Sequence, residues 1–203
     1  MSNPICVGIT GASGAVYAVR LLEVLTASGL DVHLSISPSG REVIEQELGL
    51  KIALDRFEAS DLLNKPTDVS GKRGRLCYYP CQNFLAPMAS GSFLTGGMVI
   101  CPCSGTTLSA IAAGASGNLI QRAAEVHLKE RRRLVLVPRE TPLSLAHIDN
   151  MRRVTEAGAV VLPASPGWYH GANSLDDLVD FIVGRICDQL EIENNCITRW
   201  GSH

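Results

Sequence analysis

Arg139 and Glu140 follow the apolar run Leu134-Val135-Leu136-Val137, inside Pro138-Arg139-Glu140-Thr141-Pro142. A pair of opposite charges just past a buried strand does not serve packing, and the carboxyl rim of an open α/β sheet is where ligands bind. Four more segments put ligand-type groups at strand ends: Gly11-Ala12-Ser13-Gly14, Ser37, Cys103-Ser104-Gly105-Thr106-Thr107 and Trp168-Tyr169-His170. Glycine lets the backbone approach a ligand, and a helix amino terminus favours an anion. Gly8-x-x-Gly11-x-Ser13-Gly14 is thus a phosphate-type loop, although helix-on-sheet packing alone also uses such turns. No Gly-Lys-Ser/Thr is present, and the second strand ends at Ser37 where NAD-binding folds carry an acid. A mononucleotide such as FMN fits better than a dinucleotide. Ser104-Gly105-Thr106-Thr107 repeats the device with three hydroxyls, where a plain helix cap needs one.

Other charged residues stay open on spacing alone. Arg122 and Lys129 lie seven apart, on one helix face, with Glu125 between them. The alternative is a solvated pair of Glu125 with Lys129; Glu130 and Arg131-Arg132-Arg133 read as surface charge. Arg185 flanks the apolar stripe of the last helix, where an arginine either snorkels or offers its fork to a phosphate. Tyr169 is either a packed aromatic or a hydroxyl donor, His147 and His170 are either catalytic or structural, and Glu47 reads as an exposed acid.

The elements that must position these groups alternate. Strands are expected over 5–10, 32–37, 98–101, 134–137 and 159–162. Helices are expected over 15–27, 41–48, 108–113, 123–131, 146–157 and 175–190, the last opened by Ser174-x-x-Asp177. This predicts a single α/β domain, a Rossmann-like (flavodoxin-like), doubly wound and mostly parallel sheet, with residues 51–95 a helix-and-loop excursion. A length of 203 residues suits one full core, and a net charge of −2 gives no general reason to bind nucleic acid or an acidic membrane. Seven cysteines without a secretion signal or a CxxC pair read as reduced, small hydrophobes and not as disulfides or a metal site. A cytoplasmic location is the expectation.

Taken in order along the chain, the segments Thr10-Gly11-Ala12-Ser13-Gly14-Ala15, Met88-Ala89-Ser90-Gly91-Ser92, Met98-Val99-Ile100-Cys101-Pro102-Cys103-Ser104, Arg122-Ala123-Ala124-Glu125-Val126, Leu128-Lys129-Glu130-Arg131-Arg132, Leu136-Val137-Pro138-Arg139-Glu140-Thr141-Pro142 and Pro166-Gly167-Trp168-Tyr169-His170 resemble the UbiX/Pad1 flavin prenyltransferases. The resemblance implies an enzyme that joins the dimethylallyl group of dimethylallyl monophosphate to reduced FMN at N5 and C6, without a metal. The prenylated FMN would serve a UbiD-type decarboxylase. By the same resemblance, Gly11, Ala12, Ser13, Ser37, Ser104, Gly105, Thr106, Thr107 and Arg139 would hold FMN. Tyr169, Arg185, Lys129, Arg122 and Glu140 would surround the prenyl phosphate, with Ser90, Gly91 and Phe84 lining the cleft. Phe84 stands where the family often has tryptophan, which leaves chain-length preference open. The implied assembly is a homo-oligomer, a dodecamer with sites at subunit junctions.

The implied chemistry suits these residue types. Lys129, Arg185 and Tyr169 can stabilise a departing phosphate, and Phe84 offers a π face to an allyl cation. Glu140 is the candidate acid/base, the released phosphate its competitor, and Ser13 with Glu47 a relay beyond it. Three other readings stand beside this one. They are an FMN-dependent cysteine decarboxylase, a non-catalytic FMN-binding partner of a decarboxylase, and direct decarboxylation of an aromatic acid. Pro102-Cys103-Ser104-Gly105-Thr106-Thr107 differs from the Pro-Ala-Ser-Ala-Asn-Thr type of loop that the first of these uses.

Overall fold

Strand order decides where a ligand can sit, and the order here is β3-β2-β1-β4-β5-β6, with every pairing parallel. The structure is a computed structural model that describes residues 3–63, 73–168, 171–197 and 201. The strands are β1 (Ile5–Ile9), β2 (Val32–Ile36), β3 (Leu76–Tyr78), β4 (Gly97–Cys103), β5 (Leu134–Pro138) and β6 (Val160–Val161). This is the doubly wound order, and without edge strand β3 it is the five-strand order of flavodoxin-like sheets. The order reverses between β1 and β4, which places the crevice at their carboxyl ends.

Six helices connect the strands among the described residues: α1 (Ala15–Ala27), α2 (Pro38–Leu48), α3 (Gly105–Ala112), α4 (Leu119–Lys129), α5 (Leu145–Glu156) and α6 (Leu175–Gln189). Because strand side chains alternate, one sheet face buries Ile5, Val7, Ile9, Val99, Val135 and Val137 under α1, α2 and α6. The other face buries Cys6, Met98, Ile100, Leu134 and Leu136 under α3, α4 and α5. Gly8 belongs to that second face, where a Cβ would come within 2.7 Å of Ile120. Arg20 of α1 and Asp180 of α6 clasp through two bonds of 2.6 and 3.2 Å across the first layer.

The expected elements are present, with shifted ends. The second helix begins at Pro38, three residues earlier than expected, because Ser37 caps it by accepting from the Gly40 N–H at 3.0 Å and proline suits the first helical position. Likewise α4 begins at Leu119, capped by Asn118. The excursion over 51–95 is not only helix and loop, since it contributes β3, which pairs with β2. Among the described residues no helix is long and apolar enough to cross a membrane. All seven cysteines are free, and burial pushes the thiols of Cys6 and Cys103 up to about 12.

Candidate active site

The turn from β1 to α1 is tight for two reasons. At Gly11 a Cβ would collide with Ser39, so the loop lies directly on the start of α2. Gly14, the residue before α1, has φ 113°, a left-handed conformation that favours glycine. Having no side chain, Gly14 cannot cap the helix, and α1 has no acid in its first turn. The missing anion comes from the last turn of α2. One Glu47 oxygen accepts from the N–H groups of Gly14 at 3.0 Å and Ala15 at 2.8 Å, and the other approaches Gly14 at 3.2 Å. Burial would raise the Glu47 pKa, but the Ser13 hydroxyl, these N–H groups and the Arg139 charge outweigh it and hold the carboxyl below its ordinary value.

A second cradle lies across the switch point. The Thr10 hydroxyl donates to the Pro102 carbonyl at 2.8 Å and accepts the Ser104 N–H at 2.8 Å, tying the end of β1 to the end of β4. Ser104 caps α3, accepting from the Thr107 N–H at 3.3 Å and donating to the Thr107 hydroxyl at 3.1 Å. Of the three hydroxyls in this segment, Thr107 is buried and Thr106 is exposed. A Cβ at Gly105 would approach His147 Nε2 to 2.7 Å, so α5 packs directly on this turn. His147 has a structural use: with Ser144 it forms the capping box of α5. Arg139 is half-buried, and its Nε is buried with no hydrogen-bond partner. Glu140 is exposed, its Oε1 accepting the Thr141 N–H at 3.1 Å.

Arg122, Lys129, Ser90 and Gly91 form a separate cluster. Arg122 Nε donates to the Ala89 carbonyl at 3.2 Å, and its Nη1 pairs with Glu125 at 2.7 Å. Glu125 therefore pairs with Arg122 and Ser116 and not with Lys129, which contacts Glu130 instead. A Cβ at Gly91 would collide with the Glu130 carboxylate, which ties the 90–92 loop to the end of α4. In sequence, Arg132 reads as surface charge. In the structure it is half-buried and donates to the carbonyls of Gly91 and Phe93. Arg131 carries the chain out of α4 at φ 55°, and this turns Arg132 back toward the loop. His127 is fully buried beneath the same loop, its Nε2 2.8 Å from the Thr95 hydroxyl and its Nδ1 2.7 Å from the Ala123 carbonyl.

One chain does not bring all the expected residues together. Lys129 ends α4, just before the amino end of β5, whereas Arg139 and Glu140 follow its carboxyl end, about 16 Å along the strand. Arg185 is exposed on α6, paired with Asp188 at 2.8 Å, and α6 covers the sheet face opposite α4. Phe84 is 44% exposed. Tyr169 and His170 lie outside the described residues. The switch-point cluster, by contrast, joins Gly11, Ala12, Ser13, Ser37, Ser104 to Thr107, Arg139 and Glu47 on one rim. Its fit to a flavin mononucleotide rests on the donor set: two glycine-opened turns, capping hydroxyls and a cation with an unmatched buried N–H.

Residues 1–187 match the model of the family described as Flavoprotein. The flavin prenyltransferase UbiX of Halalkalibacterium halodurans is 48% identical over 195 residues, covering 96% of this chain and 92% of that protein. The crystal structure of AnUbiX (PadA1) in complex with FMN and dimethylallyl pyrophosphate superposes with a TM-score of 0.85 at 37% identity, covering 100% of both chains. A dodecameric FMN-dependent UbiX-like decarboxylase from Escherichia coli O157:H7 superposes with a TM-score of 0.83 at 35% identity, covering 98% of this chain and 100% of that one. A doubly wound sheet with hydroxyl-lined turns and an unmatched arginine at its switch point, matched end to end by such relatives, places this chain in the Flavoprotein family, among the UbiX flavin prenyltransferases.

Proposed function

We propose that the protein transfers a dimethylallyl group from a dimethylallyl phosphate to reduced FMN, making prenylated FMN for a UbiD-type decarboxylase. The observation that supports this most is the buried, unpartnered Arg139 Nε beside the two cradles. A buried donor left unmatched costs about 1–3 kcal/mol, so it calls for a ligand. Bound reduced FMN would supply the nucleophilic ring that takes the prenyl group. Gly11, Ala12, Ser13, Ser37 and Ser104 to Thr107 would hold it by backbone and hydroxyl contacts, with Arg139 as counter-charge.

The donor phosphate needs cations, and Arg122, Lys129 and Arg185 are the residues to supply them, with Tyr169 as a neutral donor. Lys129 and Arg185 belong to opposite sheet faces of one chain, so they would converge on a common phosphate from different subunits. Exposed apolar side chains support such an assembly: Leu85 is 96%, Leu175 79% and Leu145 73% exposed. A homododecamer is the state expected. Ser90 and Gly91, held on α4 by Arg122 and Arg132, would line the cleft with Phe84 offering its ring to the allyl cation. Glu140, exposed at the rim, would take the proton lost on ring closure. Ser13 and Glu47, in contact with each other, would extend the proton path.

The test is anaerobic incubation with FMN, a reductant and dimethylallyl monophosphate, followed by mass analysis of the flavin. An adduct heavier by a five-carbon unit is expected, and recovery of unmodified flavin alone would sink the assignment. Glu140→Gln should keep FMN binding while product formation slows by about 100-fold or more. A wild-type rate in that variant would move the proton transfer to the released phosphate.

A further inference from the structure

Glu47 does more than adjoin Ser13. Doubly wound folds commonly seat a nucleotide phosphate on the amino terminus of the first helix. In this chain that position is already filled, since the Glu47 carboxylate engages the N–H groups of both Gly14 and Ala15. The arrangement is specific: α1 lacks a side-chain cap of its own and lacks an acid in its first turn, and among the described residues the carboxylate on its end comes from 32 residues away. A phosphate arriving there would displace these bonds and face a negative charge. The Ser104 to Thr107 turn, by contrast, carries no acid, and Arg139 holds an unmatched donor.

We propose that Glu47 is a specificity-determining anion, which closes the amino terminus of α1 to phosphate, so that the site takes a flavin with one phosphate and rejects a dinucleotide. This rests on the flavin-binding reading above. It deepens that reading by naming the residue that selects FMN over FAD. Glu47 stays charged at neutral pH, because its hydrogen bonds and the nearby Arg139 outweigh its burial. A fixed anion of this kind acts through like-charge exclusion, as in other sites built to refuse a near-match ligand.

Fluorescence quenching with riboflavin, FMN and FAD, on the full-length wild type and on Glu47→Gln, separates the possibilities. Glutamine keeps the shape and an acceptor oxygen but removes the charge. Wild type is expected to bind FMN far more tightly than FAD. In Glu47→Gln the ratio of the two dissociation constants should fall by about tenfold or more, a change of about 1.4 kcal/mol, with riboflavin binding unchanged. If Glu47 only braces the loop, all three flavins would weaken together at constant ratio, and the proposal is overturned. A wild type that folds but fails to bind FMN would instead overturn the flavin reading on which this rests. Crystals of the wild type soaked in inorganic phosphate give a check that needs no variant. An anion near Ser104 with Glu47 still on Gly14 and Ala15 supports the inference, and a phosphate seated on those two N–H groups refutes it.

Discussion

Arg139 carries the clearest expectation for a single side chain. Its Nε is buried without a partner, while its charge lowers the proton affinity of Glu47. Replacing Arg139 by alanine removes a charged donor worth about 1.5–3 kcal/mol, so FMN binding should weaken by about ten- to a hundredfold in a fluorescence titration. Unchanged affinity would place the flavin elsewhere. The charge pair that begins at Arg139 and Glu140 was legible because opposite charges after an apolar strand have so few structural uses. Glu47 was not legible from spacing. The groups it binds lie 32 and 33 residues earlier, and only the fold shows that α2 ends over the start of α1.

At the scale of elements, α4 and residues 89–95 form one unit, clipped by Arg122, Arg132 and His127. The buried His127 must stay neutral there. Burial, helped by the nearby Arg132 charge, outweighs the pull of the Ala123 carbonyl and lowers its pKa to about 4. The sign follows directly: the unfolded chain takes up a proton near pH 6.5 and the folded chain resists until about pH 4. His127 therefore leaves stability intact above pH 6.5 and erodes it as pH falls toward 4, by up to about 3 kcal/mol. Urea denaturation at pH 7 and pH 4.5 should show that loss, and His127→Gln should flatten it. The six helices were readable from their 3.6-residue apolar spacing and their caps. Strand β3 was not, because Leu76-Cys77-Tyr78 is too short to show alternation and takes its definition from β2. Arg132 was hidden inside a run of three arginines, and only the left-handed turn at Arg131 singles it out.

For the whole molecule, the separation of α4 from α6 by the sheet leads to a mixing experiment. Lys129→Ala and Arg185→Ala should each be inactive as pure proteins. Co-assembled, they should recover part of the wild-type rate if the two residues come from different chains, because some junctions would then contain neither change. No recovery in verified mixed oligomers would place both residues in one subunit. A smaller feature has an effect of equal reach. The sheet is wound outward in two directions from β1 and β4, and the Thr10 hydroxyl joins the two halves where they part, with donor and acceptor both used. Its one proton is committed to Pro102, so that buried hydroxyl has no donor left for a ligand. It works as a rivet, which sets the spacing between the two cradles before any flavin arrives and leaves little ordering cost to binding. Thr10→Val keeps the shape and cuts the rivet. It should leave a soluble fold with slower flavin capture, and with hydrogen exchange at the Ser104 turn raised in the free protein and restored once FMN is bound.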